Sequence, residues 1–118
     1  MLTNPIPIRL KQARKLSGIT QKNLGVMIGM DESSASGRMN HYEKGRHTPD
    51  ISTLKKMADA LGVPLNYFFC EDDTSAELAC LISKLGDDER KKLIDHILSD
   101  RSKDCDSLPK DSFRKASL

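Results

Sequence analysis

Residues 20–45 constrain the fold more than any other part of this chain. The first half of this stretch carries three apolar residues at the i, i+3, i+4 spacing of one helix face, namely Leu24, Met27 and Ile28. Thr20 is a favourable N-cap for such a helix, and Gly29 is of the type that ends one. The pattern therefore predicts a short amphipathic helix followed by a tight turn.

The second half of the stretch predicts another helix, with one apolar and one polar side, which Asp31 can cap. At about 100° per residue, its apolar arc is formed by Ala35, Met39 and Tyr42. The opposite arc is formed by Ser33, Gly37, Asn40 and Lys44, with Ser36 and His41 beside it and Arg38 nearer the buried edge. Gly37 costs a helix interior roughly 1 kcal/mol relative to Ala. Close approach of the backbone to something as large as a DNA groove would explain this glycine.

These residues resemble a known family, the Cro/repressor-type (lambda-repressor-like, xenobiotic-response-element) helix-turn-helix regulators of bacteria and phages. The resemblance covers about residues 8–69 and rests on Thr20, Gln21, Leu24, the helix-ending glycine, the block Tyr42-Glu43-Lys44-Gly45-Arg46, and Pro49. Between Gly29 and Tyr42 the chain has about four residues more than most members. Four residues are close to one helical turn of 3.6. We therefore place an extra turn at the start of the second helix, which leaves the later residues on the same face.

The resemblance implies an all-α fold, with a compact five-helix domain in residues 1–69. Pro5 and Pro7 predict an extended lead-in. The first helix should span 8–17 and end at Gly18, with an apolar face of Leu10, Ala13 and Leu16 and a polar face of Arg9, Lys11, Arg14 and Lys15. Another helix should begin at Asp50 and close at Gly62, burying Ile51, Leu54, Met57, Ala58 and Leu61. A short helix should follow Pro64 over 65–69.

Residues 70–99 predict two further amphipathic helices. The first has an apolar stripe of Leu78, Leu81, Ile82 and Leu85, and the second, which follows Gly86 and an acidic start, has Leu93, Ile94, Ile97 and Leu98. Two short helices leave apolar surface that needs another partner. They must pack either on the N-terminal domain or on another subunit. We favour a homodimer interface formed by residues 75–99, because repressors of this family usually dimerise. Residues 100–118 are polar and lack periodicity, which predicts a disordered tail.

The polar arc of the second helix supplies the residues suited to base reading. Asn40 fits adenine N6 and N7, and His41 can donate or accept in the major groove. The full predicted base-reading set is Ser33, Ser34, Ser36, Gly37, Arg38, Asn40 and His41. The predicted phosphate contacts are Gln21, Lys22, Lys44 and Arg46. The resemblance further implies that Arg14 pairs with Glu43 in a structural role.

The distribution of charge along the chain agrees with a DNA-binding N-terminal domain. Residues 1–69 contain ten Lys/Arg and five Asp/Glu, a formal charge of +5, whereas residues 70–118 carry −3. Aromatic residues are only 4% of the chain, which argues against a stacking platform for single strands. A solvated polar surface would also explain the asymmetry.

Other classes of function find little support. Cys70, Cys80 and Cys105 form no CxxC pair and have no histidine at metal spacing, so we expect no metal or disulfide framework. No residue is placed to complete a catalytic or metal site with His41, and no enzyme activity or cofactor is predicted. No apolar run approaches the ~20 residues of a membrane span, and the start lacks the apolar core of a signal peptide. We expect a cytoplasmic protein.

The predicted partner is double-stranded DNA, bound by a dimeric repressor at a palindromic operator. Two alternatives share the fold. One is the DNA-binding antitoxin of a toxin–antitoxin pair, in which the acidic C-terminal region would bind a protein partner. The other is a protein–protein adaptor that has lost DNA binding. The net positive charge of residues 1–69 argues against this alternative.

Overall fold

The computed structural model describes residues 4–101, and every regular element in this range is helical. The elements are α1 (Ile6–Ser17), α2 (Gln21–Met27), α3 (Glu32–Glu43), α4 (Ile51–Leu61), a 3₁₀ helix (Leu65–Phe69), α5 (Asp73–Ser83) and α6 (Asp87–Asp100). The predicted all-α fold is confirmed. The predicted tail lies outside the described residues except for its start, since α6 continues through Asp100. Cys105 lies outside them as well.

The chain divides into two compact units, Met1–Lys84 and Leu85–Leu118. The first contains α1 to α5 together with the 3₁₀ helix, so it extends beyond residue 69, where the sequence placed the domain boundary. The reason is that α5 packs against the 3₁₀ helix, with Ala76 only 2% exposed and Cys80 partly buried against the core.

The core of the first unit is built from large apolar side chains of every helix up to the 3₁₀ element. Its largest fully buried members are Phe68, Leu10, Leu24, Met39, Leu54 and Met57. Tyr67 is also buried and meets Phe68 edge-on, with the ring centroids 5.9 Å apart. Burial of this kind removes apolar surface from water and is the main force that holds such a fold together.

Local capping fixes where the helices begin and end. The Thr20 hydroxyl accepts a hydrogen bond from Asn23 N at 3.0 Å, and Asp50 accepts one from Thr53 N at 2.8 Å. The latter bond holds the pKa of Asp50 below its usual range, because it favours the ionised carboxylate. Gly18 and Gly62 follow α1 and α4 in left-handed conformations, at φ 70° and 72°.

Several sequence predictions are wrong at the level of single residues. The lead-in is not extended, because Pro5 is the N-cap of α1 and Pro7 lies in its first turn. In the first turn of a helix, the N–H group that proline lacks would have no partner within the helix. Asp31 occupies the N-cap of α3, but its side chain makes no capping bond. Three residues predicted to face the core are exposed, namely Leu16, Met27 and Ile51.

Arg9 is the clearest departure, because it was predicted on a polar face and is only 3% exposed. Its Nε donates to the Cys70 carbonyl at 2.9 Å, and its guanidinium also donates to Asp73 and Gln12, each at 2.8 Å. Gln12 in turn accepts from the Tyr67 hydroxyl. The buried charge is thus met by a carbonyl, an amide oxygen and a carboxylate, and it joins α1 to the start of α5.

The second unit contains α6, whose start is marked by a bond from Gly86 N to the Glu89 carboxylate at 3.4 Å. Both Ile94 and Ile97 are close to half exposed, at 49% and 47%. Among residues 4–101, no helix is both long enough and apolar enough to cross a membrane.

Candidate nucleic-acid interface

The contact between α2 and α3 positions the candidate interface. Gly25 lies in α2 against Ala35 of α3, and a Cβ built on Gly25 would be 2.7 Å from the Ala35 Cβ and 3.1 Å from the Met30 sulfur. No side chain fits in that space. Glycine is therefore required for the two helices to approach each other this closely.

The turn between α2 and α3 is formed by Gly29 and its neighbours. Gly29 adopts φ 101°, a left-handed conformation that favours glycine, and Met30 N donates to the Gly25 carbonyl at 2.9 Å. Met30 is buried, so the turn is tied to the core at its end. This turn sets the angle at which α3 leaves α2.

The two sides of α3 differ as the sequence predicted. Ala35 and Met39 are fully buried, and Tyr42 packs partly against the core. The opposite side, which we call the outer face, consists of Ser33, Ser36, Gly37, Asn40 and Lys44. All of these are exposed except Asn40, which is half-buried. A Cβ on Gly37 would meet nothing within 4 Å, so packing within the described residues does not require this glycine.

Arg14 and Glu43 form a buried ion pair that fastens α3 to α1. Arg14 Nε and Nη2 donate to the two carboxylate oxygens of Glu43, the second at 3.1 Å, and Nη1 donates to the Ile19 carbonyl at 3.0 Å. The side chains are 13% and 3% exposed. This two-pronged geometry fits the planar guanidinium and holds the C-terminal end of α3 in place.

Gln21 connects the start of α2 to the outer face. Its side-chain amide donates to Glu43 Oε1 at 3.1 Å and to Asn40 Oδ1 at 3.3 Å. The structure thus brings together two residues that were predicted separately, Gln21 as a phosphate contact and Asn40 as a base reader.

The remaining basic residues of the predicted site lie in different surroundings. Lys22 is 50% exposed and is ion-paired with Glu32 at 2.8 Å, and this lysine holds the pKa of Glu32 below its usual range. Lys44 and Arg46 are exposed just beyond α3. Arg38 is exposed too, although the sequence placed it near the buried edge.

A second histidine lies beside His41, which the sequence did not anticipate. The rings of His41 and His47 stack with their centroids 5.3 Å apart, at the edge of an open cleft of about 420 Å³. Arg38, Tyr42 and Thr48 complete the lining of this cleft. Within residues 4–101, no group of three or more His, Cys, Asp or Glu side chains is arranged to hold a metal ion.

Besides His47, sequence reasoning missed the role of Gly25 and the bond from Gln21 to Asn40. Gly25 lies inside a helix, where glycine is unfavourable by roughly 1 kcal/mol, and this cost was a signal that could have pointed to a close contact. The bond from Gln21 to Asn40 had no such signal. It joins residues 19 positions apart and depends on how two helices are placed.

Comparison with known proteins agrees with this architecture. A family model described as "Helix-turn-helix" matches residues 10–68. The HTH-type transcriptional regulator ImmR of Bacillus subtilis (strain 168) is 31% identical over 67 residues, which make up 57% of this chain and 50% of ImmR. The chain thus spans about half the length of this curated relative.

Solved structures extend the likeness beyond the matched segment. The crystal structure of the transcriptional regulator BswR has a TM-score of 0.73 and 44% identity, over 80% of this chain and 93% of the BswR chain. A chain from a complex of the SinR and SinI proteins has a TM-score of 0.57 at 23% identity, over 82% of this chain and 98% of that one. At that identity, the second likeness concerns the fold alone.

Proposed function

This chain belongs to the Cro/repressor-type helix-turn-helix family, and from that membership we propose that it is a sequence-specific, DNA-binding transcription regulator. In the proposed complex, α3 enters the major groove of a palindromic operator, and a homodimer places two copies of α3 on the two half-sites. Such half-sites lie about one helical turn, ~34 Å, apart.

The outer face of α3 is the observation that carries the proposal. It presents hydroxyl and amide groups that can meet base edges, and its centre is Gly37, which has open space where a side chain would be. A bare backbone at that point permits close approach to DNA. Within the described residues this glycine has no other use, and it weakens the helix.

The proposed base readers are Ser33, Ser34, Ser36, Gly37, Arg38, Asn40 and His41. The proposed phosphate contacts are Gln21, through its main-chain N–H at the start of α2, and the side chains of Lys22, Lys44 and Arg46. Lys44 and Arg46 are exposed and carry no ion-pair partner among the described residues, so both are free to meet phosphates. Lys22 must first exchange its exposed pair with Glu32, which costs little because such pairs are weak.

We test DNA reading by selecting bound duplexes from a random pool at two salt concentrations. A palindrome with helical-turn spacing is the expected result, and the logarithm of affinity should fall with that of salt by about 0.9 per phosphate contacted. Salt-sensitive binding without a selected sequence would leave only a backbone binder. Absence of binding would contradict the proposal.

We further propose that residues 75–99 supply the homodimer interface. Leu78 and Leu81 of α5 are more than half exposed, and Ile94 and Ile97 of α6 are close to half exposed. Apolar side chains of this size are commonly covered by a partner when they are grouped on one helix. Replacing Leu93 and Ile97 with glutamate should give monomers in sedimentation experiments. Dimers that persist in this variant would place the interface elsewhere.

A further inference from the structure

Asn40 is tied into a chain of hydrogen bonds that begins at the buried ion pair. Glu43 accepts from Arg14 through both of its oxygens, and its Oε1 also accepts from the Gln21 amide at 3.1 Å. The same Gln21 nitrogen donates to Asn40 Oδ1 at 3.3 Å. The chain therefore runs from Arg14 through Glu43 and Gln21 to Asn40.

Each link of this chain fixes the next. Both oxygens of the Glu43 carboxylate accept from the Arg14 guanidinium, and a carboxylate has no hydrogen to donate to Gln21. The atom of Gln21 that faces it must then be the NH₂ group rather than the carbonyl oxygen. This NH₂ group has a second hydrogen, and the Asn40 atom that receives it must be an acceptor, which is Oδ1.

The consequence is that Asn40 cannot turn its amide over without breaking a bond. An unrestrained asparagine amide can present either its oxygen or its nitrogen, since the two ends have nearly the same shape. Here the oxygen is held toward α2 by Gln21. The NH₂ group lies at the other end of the planar amide and is left to meet a ligand of the outer face.

We propose that Gln21 is a positioning residue that holds Asn40 as a hydrogen-bond donor toward DNA, so that Asn40 selects guanine. Guanine presents two adjacent acceptors in the major groove, N7 and O6, and these match the two hydrogens of an amide NH₂ group. Adenine offers an acceptor beside a donor, and the usual asparagine–adenine pair needs the amide oxygen turned toward the base, whereas the bond from Gln21 holds Oδ1 toward α2. This inference rests on the proposed function, because it assumes that the outer face reads DNA.

The test is base selection from a random duplex pool by the wild-type chain and by Gln21→Ala, Gln21→Met and Asn40→Ala. The position that Asn40 reads is the one at which Asn40→Ala loses its preference. We expect guanine there for the wild-type chain, and a shift toward adenine in both Gln21 variants, because the released amide can turn. Gln21→Met keeps a long side chain in place, so a shift shared by both variants follows from the lost hydrogen bond.

Asn23→Ala is the matched control, since it removes a neighbouring exposed amide of α2 and should keep the wild-type preference. A second readout replaces that guanine with 7-deazaguanine, which lacks the N7 acceptor. The wild-type chain should lose about tenfold in affinity, within the ~1–3 kcal/mol range of a good base contact. Asn40→Ala should not respond to the replacement.

The outcomes separate the inference from the proposed function. If the wild-type chain selects adenine at that position, or if the Gln21 variants keep guanine while binding every sequence more weakly, Gln21 is a phosphate contact alone and the inference is wrong. If the wild-type chain binds no DNA selectively, the proposed function fails first. Thermal unfolding of each variant shows that it is folded.

Discussion

Gly25 and Gly37 lie in adjacent helices, yet their surroundings are opposite. A Cβ on Gly25 would overlap with Ala35 at 2.7 Å, whereas a Cβ on Gly37 would meet nothing within 4 Å. At the contact between α2 and α3, packing thus limits how large a side chain can be. Packing sets no such limit at Gly37 on the outer face, so the reason for this glycine must lie outside the described residues. Each of the following experiments changes either a buried contact of α3 or one of its exposed residues.

Loss of the buried ion pair should have the largest effect on the inner side. Arg14→Ala leaves Glu43, which is 3% exposed, without its guanidinium partner. Removal of one member of a buried pair costs about 3–5 kcal/mol in the free energy of unfolding, because the other charge remains buried. Urea denaturation measures this loss. The double variant Arg14→Met, Glu43→Met removes both charges and should be less destabilised than Arg14→Ala; equal destabilisation would show that the charge left behind is not the cause.

Gly25→Ala should come next, with a loss of about 1–3 kcal/mol from overpacking against Ala35. The nearest atom is the Ala35 Cβ, which is fixed to the backbone of α3 and cannot move aside cheaply. Chemical denaturation again measures the change. A neutral Gly25→Ala would mean that α2 and α3 can separate, and a compensating Ala35→Gly should restore stability if the overlap is responsible.

Gly37→Ala should act in the opposite direction. Alanine gains up to about 1 kcal/mol of helix stability, and the added methyl group meets no neighbour. If the backbone at Gly37 approaches DNA, the same variant should bind the selected operator more weakly although it is more stable. A stabilised variant with unchanged affinity would remove the reason that we give for this glycine.

The smallest effect should come from the exposed counterpart of the buried pair, Lys22 and Glu32. Lys22 holds the pKa of Glu32 below its ordinary value of 4.5. The pair therefore stabilises the fold fully at pH values above the ordinary pKa of glutamate. This stabilisation is lost as the pH falls through the lowered pKa of Glu32 in the folded protein. An NMR titration of Glu32 should show the lowered pKa, and Lys22→Ala should return it toward normal. Salt should weaken the shift, because the pair is exposed.

Much of the fold could be predicted from local sequence alone. The caps at Thr20 and Asp50 and the glycines that follow α1 and α4 act within a few residues, so they mark helix ends whatever the rest of the chain does. Periodicity likewise separates the Ala35 and Met39 side of α3 from its polar side. For the candidate site, the same periodicity identified which residues lie on the outer face, although the roles of these residues remain predictions.

Other features of the fold depended on which neighbour covers which face. Leu16, Met27 and Ile51 fit apolar patterns and are nevertheless exposed, while Arg9 fits a polar pattern and is buried. Helical spacing gives the angle of a side chain around its own axis. It does not say how wide an arc the neighbouring helices cover. It also could not show that Asp73 and the Cys70 carbonyl would accept hydrogen bonds from the buried Arg9 guanidinium.

The sequence by itself determined the helices, most of their ends, and the polar outer face of α3, because these follow from interactions between residues that are close along the chain. Only the tertiary structure decided that Gly25 must be small, that α5 packs with the first unit, and that Gln21 reaches Asn40 and Glu43. Each of these depends on the distance and angle between two helices. Such quantities are set by the packing of the whole core and are not encoded in any one segment.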